Sequence, residues 1–300
     1  MTVAGPLRQD SGKVANWVRA HPIGAFLIWF FVVGWPIAFV PGVAKSALGV
    51  ELPLEPFIIA ATWLGLLLPA VAVTWTVDGV AGVRELGRRV LTVRAAVGWY
   101  ALALLVVPLV GLLLATILVG PPPAAFPTLV SAFVGGLLVQ TAIGFLTVNL
   151  WEEVAWMGFV QARLQARHGA ILAAVITAVL FALQHVPVVI DNGPAILIIL
   201  PIFALVAVPF RGLVAWIYNR TGSLLLVGLL HAAGDATARG GYNDGFLARL
   251  YDTSDINLLP QLAELVVGIA IIAATRARLG APARAAKAAQ AGPDLAGSPT

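Results

Sequence analysis

Apolar runs of about 20 residues recur along almost the whole chain, and that repetition constrains the fold more than any other feature. A run of this length is what an α-helix needs to cross a hydrocarbon core roughly 30 Å thick. Inside lipid the backbone must satisfy its own hydrogen bonds, which only helices and closed barrels do. The runs fall at 22–43, 56–77, 97–119, 127–157, 170–190, 195–217, 222–237 and 259–275. With 60% apolar and 11% charged residues over 300 positions, and a mean hydropathy of +0.95, no large soluble domain fits between them. The expected fold is all-α, a polytopic transmembrane helical bundle of about eight spans. The seventh run is short, and the fourth is long enough to tilt or to project past the membrane at its polar end.

The basic residues test this count, because cytoplasmic loops carry the excess of Lys and Arg. With both termini cytoplasmic, the inner segments hold Arg8, Lys13, Arg19, Arg84, Arg88, Arg89, Arg94, Arg163, Arg167, Arg220, Arg276, Arg278, Arg284 and Lys287, and the outer ones only Lys45, Arg239 and Arg249. Arg211 lies toward the cytoplasmic end of the sixth run, where a long side chain snorkels to the interface. The net charge of +4 and the sequence pI of about 9.8 therefore describe topology. Nothing in the chain reads as a nucleic-acid module. Its expected partner at this point is the lipid bilayer, and its expected place is a bacterial plasma membrane. The first run follows a polar stretch and lacks a small-residue cleavage pattern, so it reads as a retained helix rather than a signal peptide.

The chain divides into a cytoplasmic N-terminal segment (1–21), N-terminal transmembrane helices (22–124), a polar-bearing core (125–240), an outer loop with the last transmembrane helix (241–279) and a tail (280–300). The stretch 80–95 spaces apolar and basic residues helically, which suits an amphipathic helix on the inner leaflet or a basic connecting loop. Pro121, Pro122, Pro123 and Pro127 mark an outer turn. The tail is rich in Ala, Gly, Pro and Ser and is expected to be disordered. No internal repeat supports an inverted-repeat transporter.

The functional signal is a set of ionisable residues inside these apolar runs: Glu152 and Glu153 in TVNLWEEVAWMGF, His185 in VLFALQHVP, and His231 with Asp235 in LLLVGLLHAAGDA. A charged side chain at bilayer depth costs about 2.5–3.5 kcal/mol on insertion scales, so such residues face a protein interior or a wet cavity and mark function. Glu152 and Glu153 project about 100° apart on a helix and still border one cavity. Paired carboxylates in a low-dielectric pocket poise a group to accept and return a proton, as hydrolysis requires of a general base. His231 and Asp235 are four apart and share a helix face, as do Phe181 and His185. His21 and His168 read as solvated flanks, Asp191, Asp244, Asp252 and Asp255 as outer-loop residues, and Glu264 as structural. With no cysteine, there are no disulfides, thiol nucleophiles or thiolate metal sites to consider.

Glu-Glu followed by Trp-x-Gly-Phe, then Phe-x-x-x-His, then His-x-x-x-Asp on successive apolar helices resembles the CAAX protease and bacteriocin-processing family of intramembrane endopeptidases, also called the Abi family. The resemblance covers about 125–240 and implies peptide-bond hydrolysis in a membrane cavity open to the cytoplasm. It implies that Glu152 activates the attacking water with Glu153 as companion, that His185 holds that water or a metal, and that His231 and Asp235 bind or polarise the scissile carbonyl. Asp235 stands where members usually carry Asn, and Met157 where they commonly carry Arg. The missing cation leaves Arg163 or Arg211 as substitutes if the fold brings either near. A divalent metal such as zinc would use Glu152, His185 and His231, since two imidazoles and a carboxylate with one open position form a recognised catalytic set. The chain has no His-Glu-x-x-His pair to fix two ligands on one helix, and a metal-free, glutamate-dependent mechanism uses the same residues. Two other functions stand beside the endopeptidase: a non-catalytic membrane scaffold of the same fold, motivated by Met157, and a proton-coupled carrier using the same polar set as a relay. The first three runs contain almost no ionisable residue at depth, which speaks against the relay.

Overall fold

The structure, a computed structural model, describes residues 7–237, 245–251, 253, 256 and 258–281, with side chains from residue 12 onward. Among these residues no strand occurs, and the chain is a helical membrane bundle. We number its helices α1 (Leu7–Ala20), α2 (Pro22–Leu48), α3 (Glu55–Val90), α4 (Val97–Leu118), α5 (Phe126–His168), α6 (Ala170–Gln184), α7 (Val186–Thr221), α8 (Leu224–Thr237) and α9 (Leu259–Ala274). Helices α2, α3, α4, α5 and α7 are long and apolar enough to cross a membrane, while α6, α8 and α9 are shorter apolar helices. Each of the eight apolar runs in the sequence corresponds to one of these helices. Arg239, Gly240, Gly241, Asp244, Asp252, Asp255, Arg284, Lys287 and the tail from residue 282 on lie outside the described residues.

The chain falls into two compact units, residues 1–88 and 89–300. In the first, α2 and α3 cross where a Cβ on Gly65 would stand 2.4 Å from the Cα of Gly34. Small residues at such a crossing let two membrane helices approach through backbone packing. Helix α3 breaks at Gly79, whose φ of 66° and ψ of −162° lie outside helical space; glycine adopts this conformation without a Cβ penalty. The segment beyond the break is helical to Val90, so the helical alternative for 80–95 holds over its first part.

In the second unit, α5 contains 43 residues and continues to His168, well past the end expected near 157. The continuation is polar, with Arg163 and Arg167, but every residue in it is compatible with a helix. Gly169, with φ 79°, turns the chain directly into α6. His185 sits in the hinge between α6 and α7, at φ −85° and ψ −3°, so the fifth span ends before it rather than running to 190. Helix α7 breaks again at Gly193, with φ 58°. It closes at Gly222, with φ 67°, and there Ser223 Oγ accepts from Leu226 N at 3.2 Å and caps α8. A Cβ on Gly268 of α9 would lie 2.3 Å from the carbonyl oxygen of Pro209 on α7, so glycine is what admits that crossing.

Candidate active site

The site grows from two facing helix surfaces. On α5, Asn149 and Glu153 are four residues apart; on α8, so are His231 and Asp235. Each pair therefore projects from one face. The faces meet in antiparallel register: Asn149 Nδ2 donates to Asp235 Oδ2 at 2.7 Å, and His231 Nδ1 lies 3.0 Å from Glu153 Oε1. Among the described residues His231 Nδ1 has no aligned hydrogen-bond partner; the approach to Glu153 is a charge–charge contact when the ring is protonated. The other ring nitrogen, Nε2, is 3.9 Å from Asp235 Oδ2. The faces come this close because α8 carries Gly228 opposite Leu150, where a Cβ would stand 2.9 Å from the Leu150 Cα.

Glu152 points away from this seam, toward the end of α6. Gln184 Nε2 donates to Glu152 Oε1, and Trp156 Nε1 donates to Gln184 Oε1. An indole N–H can only donate, so it claims the amide oxygen of Gln184 and turns the NH₂ toward the carboxylate.

Glu153 has a different partner. Arg211 of α7 is buried, and its Nη1 donates to both Glu153 oxygens, at 2.7 and 3.0 Å. Its Nε donates to Gln161 Oε1 at 2.9 Å, and Gln161 Nε2 donates back to the Arg211 carbonyl at 3.2 Å. Among the described residues Nη2 has no hydrogen-bond partner, but the guanidinium carbon is 5.8 and 5.9 Å from the ring centroids of Phe181 and Phe210, close enough for their negative faces to attract the charge. The snorkelling expected of Arg211 is thus overturned: a buried carboxylate with a buried amide holds the side chain inward. Of the two cations the sequence offered for the Met157 deficit, Arg211 is bound to Glu153, whereas Arg163 stacks on Phe159 at 4.0 Å.

His185 donates from Nδ1 to the Phe181 carbonyl at 2.8 Å, an assignment fixed by the acceptor. That bond leaves Nε2 as the nitrogen with the lone pair. Both imidazoles pack on Phe181, His185 at 4.8 Å and His231 at 5.7 Å between centroids. Phe203 lies 4.8 Å from His185, and Phe210 lies 5.1 Å from His231. The two glutamates differ in access: Glu152 is 4% exposed and Glu153 0%, while the Asp235 side chain is 63% exposed and forms the open side of the site.

The structure thus brings Glu152, Glu153, His185, His231 and Asp235 to one region where α5, α6 and α8 meet. His21 and His168 are exposed at helix ends, as expected. Glu264 of α9 occupies the space left at Gly234, where a Cβ would lie 2.6 Å from its Oε1. Asn149, Gln161 and Gln184 are participants that the sequence reading does not single out. Neutral amides raise no alarm in an apolar run, and the available hint is positional: Asn149 stands four before Glu153, and Gln184 adjoins His185.

The donor set does not fit a catalytic zinc. Among the described residues no three His, Asp or Glu side chains form a metal-holding group. Glu152 is engaged by an amide, and both nitrogens of His231 lie toward carboxylates.

Residues 134–237 match the family model described as type II CAAX prenyl endopeptidase Rce1-like. The match includes both glutamates, both histidines, Arg211 and Asp235, and ends with α8. No curated protein and no solved structure matches the chain.

Proposed function

We propose, for a chain whose residues 134–237 match the type II CAAX prenyl endopeptidase Rce1-like family model, that it is an intramembrane endopeptidase in which Glu152 activates the water that attacks the peptide bond. The observation supporting this reading is the division between two adjacent carboxylates. Glu153 is wholly buried and its oxygens are engaged by Arg211. Glu152 meets a neutral amide and keeps some accessible surface.

Glu152 takes a proton from water as the water oxygen bonds to the scissile carbonyl carbon, and the carbonyl electron pair moves to its oxygen. The His185 Nε2 lone pair orients the water, accepting its other hydrogen. Protonated His231, beside Asp235, stabilises the developing oxyanion. On collapse the carbon–nitrogen bond breaks, and the proton held by Glu152 passes to the leaving amine, which restores the carboxylate. The substrate is a membrane-associated protein or peptide, of CAAX type or a leader segment. The Phe181, Phe203 and Phe210 rings offer an apolar wall beside the reacting groups, which suits a lipid-modified C-terminus.

The test is cleavage of a quenched fluorescent peptide library, including prenylated CAAX peptides, by purified detergent-solubilised protein. Cleavage by the wild type that Glu152→Gln abolishes, and that a chelator leaves intact, is the expected result. Cleavage retained in Glu152→Gln overturns the role of Glu152, and loss with chelator overturns the metal-free route.

A further inference from the structure

We infer that Arg211 is the positioning residue of this site: its guanidinium fixes Glu153, and Glu153 in turn sets the His231 ring, so that a charge carried by α7 governs groups borne by α5 and α8. The inference rests on the endopeptidase reading for its kinetic consequences and on geometry for everything else.

Three observations carry it. First, the guanidinium is held at two separate atoms. Nη1 spans both oxygens of Glu153 and Nε reaches Gln161, whose amide returns to the Arg211 backbone. Such a closed set of bonds orients the fork as well as neutralising charge. Second, Glu153 and Gln161 are the two ends of an irregular stretch of α5. Between them, over Val154–Gln161, the helix widens to i→i+5 hydrogen bonding, as it also does in other stretches of the bundle. One side chain from a neighbouring helix ties both ends of that stretch and so fixes the direction in which Glu153 leaves the helix. Third, the Glu153 oxygen nearer Arg211, Oε1 at 2.7 Å, is the one 3.0 Å from His231 Nδ1. That close polar contact sets the ring against a carboxylate whose own position Arg211 fixes.

The same charge has a second place from which it can be delivered. Met157 is fully buried one turn after Glu153 on α5, and residues four apart meet on one helix face. Met is unbranched and flexible, and two atoms shorter than Arg. An arginine at 157 paired with a methionine at 211 would exchange the two side chains between helices and keep the charge count at Glu153.

The experiment compares wild type, Arg211→Lys, Arg211→Met and the exchange variant Met157→Arg/Arg211→Met, all as full-length protein in detergent. Three quantities are read: kcat and KM on the cleaved peptide, the unfolding midpoint, and the imidazole ¹⁵N signals of His231, assigned by loss in His231→Gln. Arg211→Met is expected to lower kcat about 100-fold with KM within about threefold, because the loss falls on the reacting geometry rather than on substrate binding. The His231 signals should shift with it. Arg211→Lys keeps the charge without the fork and should fall between. The exchange variant should regain at least about tenfold in kcat over Arg211→Met and return the His231 signals toward wild type.

A folded Arg211→Met with unshifted His231 signals overturns the proposal, as does a change in unfolding midpoint with unchanged kcat, the pattern of a purely structural ion pair. Should Arg211→Met not fold, the exchange variant and Arg211→Lys decide: wild-type His231 signals in a folded exchange variant support the proposal, and displaced signals in both overturn it. A wild type that cleaves no peptide sinks the endopeptidase reading, while the His231 signals still decide the role of Arg211.

Discussion

Glu152 and Glu153 are chemically identical neighbours, and their surroundings assign them different work. Replacing Glu152 by Gln keeps its shape and removes the proton acceptor of the proposed mechanism, so kcat should fall by roughly 10²–10⁴ with little change in the unfolding midpoint. Replacing Glu153 by Gln leaves the Arg211 guanidinium buried without its counter-charge, and breaking one side of such a pair costs about 3–5 kcal/mol. The Glu153→Gln variant should therefore show a marked drop in thermal stability by scanning fluorimetry, accompanied by lost cleavage. Equal stability losses in the two variants would refute this division. Asn149 gives a third contrast at this scale. Its amide is the donor to Asp235 at 2.7 Å, and a hydrogen bond to a charged group contributes about 1.5–3 kcal/mol. Asn149→Ala should lower stability by that order and weaken cleavage, and Asn149→Asp should be worse than Ala, because it sets two carboxylates against each other. A milder effect of Asp than Ala, in chemical unfolding, would contradict the pairing.

Helix packing at the site depends on backbone approach at small residues. A Cβ at Gly228 would lie 2.9 Å from the Leu150 Cα, so alanine there must push α8 from α5, separating the Asn149–Asp235 and Glu153–His231 pairs together. Overpacking of this kind costs about 1–3 kcal/mol. Gly87 is the control, with nothing within 4 Å of a Cβ in the helical part of α3, and alanine there should be neutral or gain up to about 1 kcal/mol. Thermal unfolding and cleavage assays on the two variants check this, and an inactivating Gly87→Ala beside a harmless Gly228→Ala would be the contrary result. This scale is also where the sequence is most and least legible. All the apolar helices could be read from hydropathy, because lipid demands length and apolarity of each. The end of α5 could not, because a helix leaving the membrane keeps its hydrogen bonds while its hydropathy changes at Arg163. The site residues with charge stood out against their runs; Asn149, Gln161 and Gln184 did not, since an amide costs too little at depth to mark itself. Arg211 was visible but misplaced, because sequence position near a span end suggests an interface, and only the fold reveals the carboxylate that holds it inside.

At the scale of the whole molecule, the open question is which side of the membrane the site serves. Fourteen of the eighteen Lys and Arg residues fall in segments that share one side if the apolar helices alternate, against three on the other, with Arg211 accounted for by Glu153. Such a bias orients a membrane protein with its basic loops in the cytoplasm. The chain offers a direct way to test this, because it contains no cysteine and each introduced thiol would be the single labelling site. Cysteines replacing Lys13, Arg94, Arg167 or Arg220, all exposed residues, should react with a membrane-impermeant maleimide in inverted vesicles and not in intact cells. Cysteines replacing Lys45, Pro123 or Asn192, exposed toward the opposite ends of the spans, should show the reverse. One position on the wrong side would mean that a helix between it and its neighbour does not cross, and the short α6, between Arg167 and Asn192, is the one such a result would indict. If all seven agree, α5 passes from an outer turn to its polar end in the cytoplasm, and Glu152, seventeen residues before Gly169, lies about 25 Å along the helix from that end. The substrate bond must then be brought into the bilayer to meet it, which a membrane-anchored peptide does and a free cytoplasmic one does not. Cleavage of an anchored peptide should accordingly exceed that of its unanchored counterpart, with the difference falling in KM, and equal KM values for the two would show that the anchor plays no part in delivery.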